Sequence, residues 1–122
     1  MTGILLLAHG SREGDTEKTM AQITSFVKEI LVSDMIEEAY LQFRDKNLEA
    51  GIKNLIDKGA DNIVVIPYFL FAGIHIKEDI PAEIAALNEK YPHVKMTMGS
   101  TLGTDRRLAE IVSDRVRQVI SI

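Results

Sequence analysis

Two histidines of this chain sit beside a glycine and an apolar run. His9 ends Ile4-Leu5-Leu6-Leu7-Ala8 and opens His9-Gly10-Ser11-Arg12; His75 closes Phe71-Ala72-Gly73-Ile74-His75. Neutral imidazole is a ligand for cobalt, nickel, iron and zinc. Two imidazoles leave most of a coordination sphere open, and a site that passes its metal on needs open positions. Each histidine also has a plain reading, His9 as the polar end of a strand and His75 as a loop residue. His93, in Tyr91-Pro92-His93, reads as a solvent-exposed spacer.

These side chains need a scaffold, and apolar periodicity supplies one. Residues from about 3 to 8 read as a buried strand, and those from about 15 to 32 as a helix with Met20, Ile23, Phe26, Val27, Ile30 and Leu31 on one face. Residues from about 36 to 42 read as a second strand, and those from about 46 to 58 as a second helix capped by Gly59. Asn62 to Ile66 is a third strand, which Pro67 should end because it lacks a ladder donor. Residues from about 78 to 90 form a third helix with Pro81 in its first turn, stopped by Tyr91-Pro92. Val94 to Met98 is an edge strand. Thr104 to Ile120 is the last helix, with Thr104 as its N-cap.

Four strand–helix units predict an α/β fold, a mostly parallel sheet with helices on both faces. The simplest order, 2-1-3-4, is the flavodoxin-like three-layer sandwich. It sets strands one and three side by side where the winding direction reverses, and ligands bind in such crevices. His9 and His75 leave from those two strands, so the order predicts that they share one sheet edge.

A chain of 122 residues fits one domain over residues 1–122, with no linker, repeat or low-complexity stretch. There are no cysteines, which excludes thiolate metal sites, Fe–S clusters and disulfides. The net charge of −4 argues against general nucleic-acid binding. No apolar stretch has the length of a membrane span, and no signal peptide is evident. A cytoplasmic protein is expected.

Gly10 and Gly73 could give close backbone approach or positive φ beside each histidine, or simply turns. Ser11 and Arg12 open a helical segment, where anions are favoured. Arg12 reads equally as a carboxylate anchor and as a solvated surface residue. Arg44 and Lys77 are weaker versions of that idea. Tyr68-Phe69-Leu70-Phe71-Ala72 is unusually apolar for a loop. It could be core, a wall for a planar ligand or a contact with a partner subunit.

Ala8-His9-Gly10-Ser11-Arg12, together with Ile66-Pro67-Tyr68-Phe69-Leu70, Gly73-Ile74-His75, Asp79-Ile80-Pro81 and Leu102-Gly103, resembles the sirohydrochlorin chelatases of the small CbiX type. Each motif is short; their order and spacing, over nearly the whole chain, carry the resemblance. It implies a chelatase-like fold and insertion of a divalent metal into a reduced tetrapyrrole, sirohydrochlorin. The metal, as substrate, is cobalt for cobalamin first, with nickel for coenzyme F430 or ferrous iron for sirohaem as alternatives, and no organic cofactor. His9 and His75 match the family's metal-binding histidines. Gly10, Ser11, Arg12, Gln42, Arg44, Phe71, Gly73 and Ile74 are the expected substrate contacts. Gln42 departs from the pattern, since many relatives carry glutamate at the end of strand two. A neutral amide is a poorer ligand and no base.

Two other classes remain open. A histidine phosphotransfer enzyme would carry an arginine before its histidine, where this chain has Ala8, and would lack the Gly-x-His partner motif. A metal or tetrapyrrole carrier is separated from a chelatase only by turnover. A tetrapyrrole is wide for a four-stranded domain, and larger relatives have two facing lobes. A two-fold homodimer would rebuild that cleft, with the His9 and His75 edges facing inward.

Overall fold

A computed structural model describes residues 1–11, 14–41 and 45–120, with His75 as backbone. The elements are β1 (Thr2–Ala8), α1 (Asp15–Leu31), β2 (Ile36–Tyr40), α2 (Leu48–Asp57), β3 (Asn62–Pro67), a π-helical turn (His75–Asp79), α3 (Ile80–Lys90), β4 (Lys95–Met98) and α4 (Arg106–Ile120). The strands form one sheet of order β2-β1-β3-β4, and every neighbouring pair is parallel. The predicted fold class and order hold.

Side chains alternate across the pleat, and the alternation divides the apolar residues between two faces. Leu5, Leu7, Ala39, Ile63 and Val65 point to the face covered by α2 and α3, where Ile52, Leu55, Ile84 and Leu87 complete the main core. Leu6, Ala8, Ile36 and Tyr40 point to the other face and pack with Met20 of α1. Among the described residues, no helix is long and apolar enough to cross a membrane.

The helix ends follow local chemistry. Asn47 caps α2 by accepting from the Ala50 N–H at 2.9 Å. At its other end Gly59 takes φ +102°, its N–H reaches the Ile56 carbonyl, and the Ala60 N–H reaches that of Leu55. That pair of bonds is a Schellman closure, the glycine cap the sequence predicts.

Three details differ from expectation. The third helix begins in a π-helical turn at His75, ahead of the predicted start. Pro81 has no N–H to return to Lys77, so regular α-helical bonding cannot run through that turn. The last helix begins at Arg106, and Asp105, not Thr104, caps it: its carboxylate accepts from the Arg107 N–H at 2.9 Å. On α1 only Met20 and Thr24 are buried, whereas Phe26, Ile30 and Leu31 of the predicted apolar face are exposed. No residue of α4 is buried either, so α4 does not cover these side chains.

Candidate functional site

The carboxyl ends of β1 and β3 lie together, with Leu7 paired to Pro67. Beyond that pair the chain stays stitched: the Tyr68 N–H donates to the Leu7 carbonyl at 2.7 Å, and the Leu41 N–H to that of Ala8 at 3.0 Å. His9 therefore emerges from the middle of the sheet, flanked by the first residues beyond β2 and β3. Its side chain is exposed, and its ring meets Phe69 edge-on, with centroids 6.3 Å apart and planes at 73°. Phe69 in turn packs against the main core. One flank of the imidazole is thus backed by a fixed apolar surface while the residue remains open to solvent.

Gly10 adopts φ +88°, a conformation that turns the chain sharply after His9 and that a side chain would disfavour. Ser11 is drawn back toward α1 by the Thr16 hydroxyl, which donates to its Oγ at 2.9 Å. Gly73 behaves differently from Gly10. Its φ is not positive, and a Cβ there would meet nothing within 4 Å, so it serves no close approach here. Its carbonyl accepts from the Ile76 and Lys77 N–H groups, both at 3.1 Å, and so starts the turn that carries His75. Single π-helical turns are frequent at functional sites.

The apolar segment after β3 splits in two. Tyr68 and Phe69 pack downward, while Leu70 and Phe71 project, Phe71 with 83% of its surface exposed. Ile74 is exposed as well. This part of the segment is therefore not core; it lies exposed beyond the carboxyl end of β3. Lys77 and His93 are exposed.

Arg12, Gln42 and Arg44 lie outside the described residues. Their described neighbours are anchored at this edge: Leu41 to Ala8, and Lys46 through its carbonyl to the Tyr40 N–H at 2.7 Å. Lys46 also pairs with Glu17 of α1 at 2.7 Å, and that hydrogen bond holds its ammonium above the usual lysine range. Tyr40, at the end of β2, is buried, and burial first, then Glu38 and Glu17, pushes its hydroxyl up to about 12. It stays protonated at neutral pH and cannot serve as a phenolate base or ligand. Among the described residues no three of His, Cys, Asp and Glu gather into a metal cage.

The sequence reading missed Phe69 as the partner of His9, taking its segment as a whole. A ring two residues past the end of a neighbouring strand is the signal that marks it. Leu102 was noted only as part of a motif. Its N–H donates to the Phe69 carbonyl at 2.9 Å, so it fastens the chain after β4 to this same edge.

A parallel sheet of this order, with a histidine at the carboxyl end of its first strand and exposed apolar residues beyond the third, defines a doubly wound α/β domain with a switch point between β1 and β3. The chain belongs to the CbiX family, whose model matches residues 3–119. It is similar to the sirohydrochlorin cobaltochelatase of Sulfurisphaera tokodaii, with 31% identity over 98% of this chain and 95% of that protein. It is also similar to the sirohydrochlorin ferrochelatase of Priestia megaterium, with 30% identity over 97% of this chain but only 44% of that longer protein. Among solved structures it superposes on the sirohydrochlorin chelatase SirB from Bacillus subtilis subspecies spizizenii in complex with cobalt. That match has a TM-score of 0.87 and 28% identity over 97% of this chain and 50% of that one.

Proposed function

We propose that this protein inserts a divalent metal, cobalt first, into sirohydrochlorin, with His9 and His75 presenting the metal at the carboxyl edge of β1 and β3. The observation that carries the reading is the setting of His9. It is an exposed imidazole backed by Phe69 at the switch point, in a CbiX chain of nearly the same length as a named cobaltochelatase. The relative above that this chain matches over nearly its whole length is named a cobaltochelatase, which favours cobalt over iron. Nickel and ferrous iron are the competing substrates.

The chemistry exchanges two pyrrole N–H protons for a dication. A metal held by few protein ligands keeps positions free for the incoming ring nitrogens, and an imidazole released from it can accept a proton. Leu70, Phe71 and Ile74 offer the ring an apolar surface. Backbone N–H groups near Ser11, with Arg12, Gln42 and Arg44, are the proposed contacts for the ring's carboxylates. The active form is a homodimer in the cytoplasm, in which the His9 edges of two copies build the cleft that longer relatives make from two lobes. Insertion rates into sirohydrochlorin, measured side by side with cobalt, nickel and ferrous iron, test the reading. Cobalt should be fastest. Binding of metal or ring without turnover for any of the three would make the protein a carrier.

A further inference from the structure

The Leu102-Gly103 pair stands far from His9 in sequence, yet the fold sets it directly behind the ring that His9 meets. β3 and β4 pair as far as Val65 and Met98, and the Gly99 N–H then donates to the Val65 carbonyl at 2.8 Å. Beyond the strands the two segments advance in step. Four residues on from that last pair in each segment, Phe69 and Leu102 meet, and the Leu102 N–H donates to the Phe69 carbonyl at 2.9 Å. One residue further, Gly103 lies so close to Leu70 that a Cβ on Gly103 would overlap the Leu70 carbonyl oxygen. Only glycine lets the two backbones approach this closely. The pairing of β3 with β4 is thus carried past its regular end, into the segment that holds Phe69.

This seam leaves Phe69 little freedom. Its N–H donates to the Pro67 carbonyl at 2.9 Å, closing a three-residue turn about Tyr68. Its carbonyl accepts from Leu102, and its ring packs against the main core. The neighbouring Tyr68 N–H is tied to the carbonyl of Leu7, two residues before His9. A ring held at both backbone groups and along its side chain is a fixed surface. His9 meets it edge-on, with 6.3 Å between centroids and 73° between planes, a geometry in which aromatic rings attract. An exposed imidazole without such a neighbour turns broadly about its second side-chain torsion. A ligand that must be ordered at the moment of binding loses affinity, so ligating histidines are oriented by the groups around them.

We propose that Phe69 is a positioning residue for His9 and that Leu102 and Gly103 act through it: the backbone seam after β4 sets the phenyl ring, and the phenyl ring sets the imidazole. None of the three carries a side-chain donor, so none is itself a ligand. Their work is to present His9 in one orientation before the metal arrives. The proposal rests on the reading of His9 as a metal ligand, but the order of its ring is a property of the metal-free protein and is measured separately.

The experiment labels the rings of the three histidines with carbon-13 and reads their relaxation without metal, with His9→Ala to assign the His9 signals. Phe69→Leu keeps apolar bulk against the core and removes the ring. Gly103→Ala forces the seam apart at Leu70. Both should lower the order of the His9 ring and leave that of His93, exposed in the loop before β4, unchanged. Phe69→Tyr keeps the ring and should match wild type. Titration with cobalt(II) alone should then give a dissociation constant raised about two- to tenfold in Phe69→Leu and Gly103→Ala, the worth of one aromatic pair, and unchanged in Phe69→Tyr. If Gly103→Ala fails to fold, one glycine inserted between Ser100 and Thr101 puts Leu102 out of step with Phe69 without adding a side chain, and the same loss is expected. A His9 ring as ordered in Phe69→Leu as in wild type overturns the proposal. So does a loss in Phe69→Leu that neither Gly103→Ala nor the insertion reproduces, since the seam then plays no part. Lower order with an unchanged cobalt constant overturns it too, because Phe69 would then position no ligand. A His9 ring ordered by Phe69 in a protein that binds cobalt without turnover would fault the proposed function alone.

Discussion

On one face of the sheet, Leu5, Ile52 and Leu55 are sealed under α2 and α3; on the other, Ile4, Val64 and Ile66 lie half-buried beside α1 alone. Both faces have apolar strands and amphipathic helices to cover them. They differ in where the covering helices are found. Short loops return α2 and α3 to the strands they follow, and their buried residues join one cluster. The segment before α4 is held beside Phe69 and Leu70, and α4 itself buries no residue. The closed face draws its stability from full burial, whereas the open face leaves apolar strand surface only half-buried. The edge that carries His9 lies at the top of both, with Phe69 packed against the closed core and Leu102 lining the open groove beside α1.

The sharpest break of this comparison is a pair of truncations. Leu55→Ala, at a site with no solvent exposure, should cost about 2–5 kcal/mol in denaturant unfolding. Val27→Ala, in the groove, should cost less, because Val27 is only half-buried and solvent can enter the space it leaves. Equal penalties would show that both faces are closed alike.

The closed face was legible in the sequence and the open one was not, for a physical reason. Ile4 to Ala8 and Asn62 to Ile66 are strong strands, Gly59 and Pro67 mark the boundaries, and right-handed crossovers leave few sheet orders. Periodicity also shows that α4 has an apolar stripe, but a stripe does not say whether the helix packs on the sheet, and none of its residues is buried. The turn at His75–Asp79 was illegible because five residues of π-helix have no period of their own. Asp105 was passed over for Thr104 because both residue types cap helices and adjacent positions differ only in backbone geometry. At the site, the place of His9 followed from topology, whereas its contact with Phe69 needed coordinates.

The next effect concerns the edge shared by the two faces. His9→Ala should lower the insertion rate on the order of a hundredfold, the loss expected when a positioned catalytic group is removed. Cooperative unfolding should be almost unchanged, because His9 is exposed and lies outside both cores. His93→Ala, exposed in the loop before β4, should leave both quantities near wild type. Steady-state insertion at limiting metal, alongside thermal unfolding of each variant, separates the outcomes. Turnover retained in His9→Ala would remove this histidine from the metal site.

Tyr40 tests the part of the α1 face that is closed. Its hydroxyl is raised from 10.0 to about 12, by burial first and then by Glu38 and Glu17. A folded-state value above the unfolded one means that the native state resists losing the proton. The contribution is complete below pH 10 and is lost as pH rises toward 12, by an amount on the order of 2 kcal/mol. Lys46, held above the lysine range by Glu17, adds a loss of the same sign. Tyr40→Phe should therefore flatten part of the decline in unfolding free energy between pH 9 and 11.5, not all of it. An identical slope in the variant would mean that the phenol meets solvent in the native protein.

The smallest effects come from two helix caps with the same chemistry on opposite sides of the comparison. Asn47 caps α2, which belongs to the closed core, so Asn47→Ala should lower global unfolding free energy by about 1 kcal/mol. Asp105 caps α4, and its pairing with the Arg107 side chain, then with the Arg107 N–H, holds its carboxyl well below the usual carboxylate range. That depressed value places its contribution above the unfolded pKa and loses it only as pH falls into strong acid, so the cap is intact at any working pH. Asp105→Ala should fray α4 without loosening the sheet. Global unfolding should then match wild type, while hydrogen exchange of the α4 amides speeds up a few-fold. Hydrogen exchange and denaturant unfolding on the same two variants read the difference. If Asp105→Ala instead lowered global stability as Asn47→Ala does, α4 would be part of the core, and the two faces of the sheet would be alike.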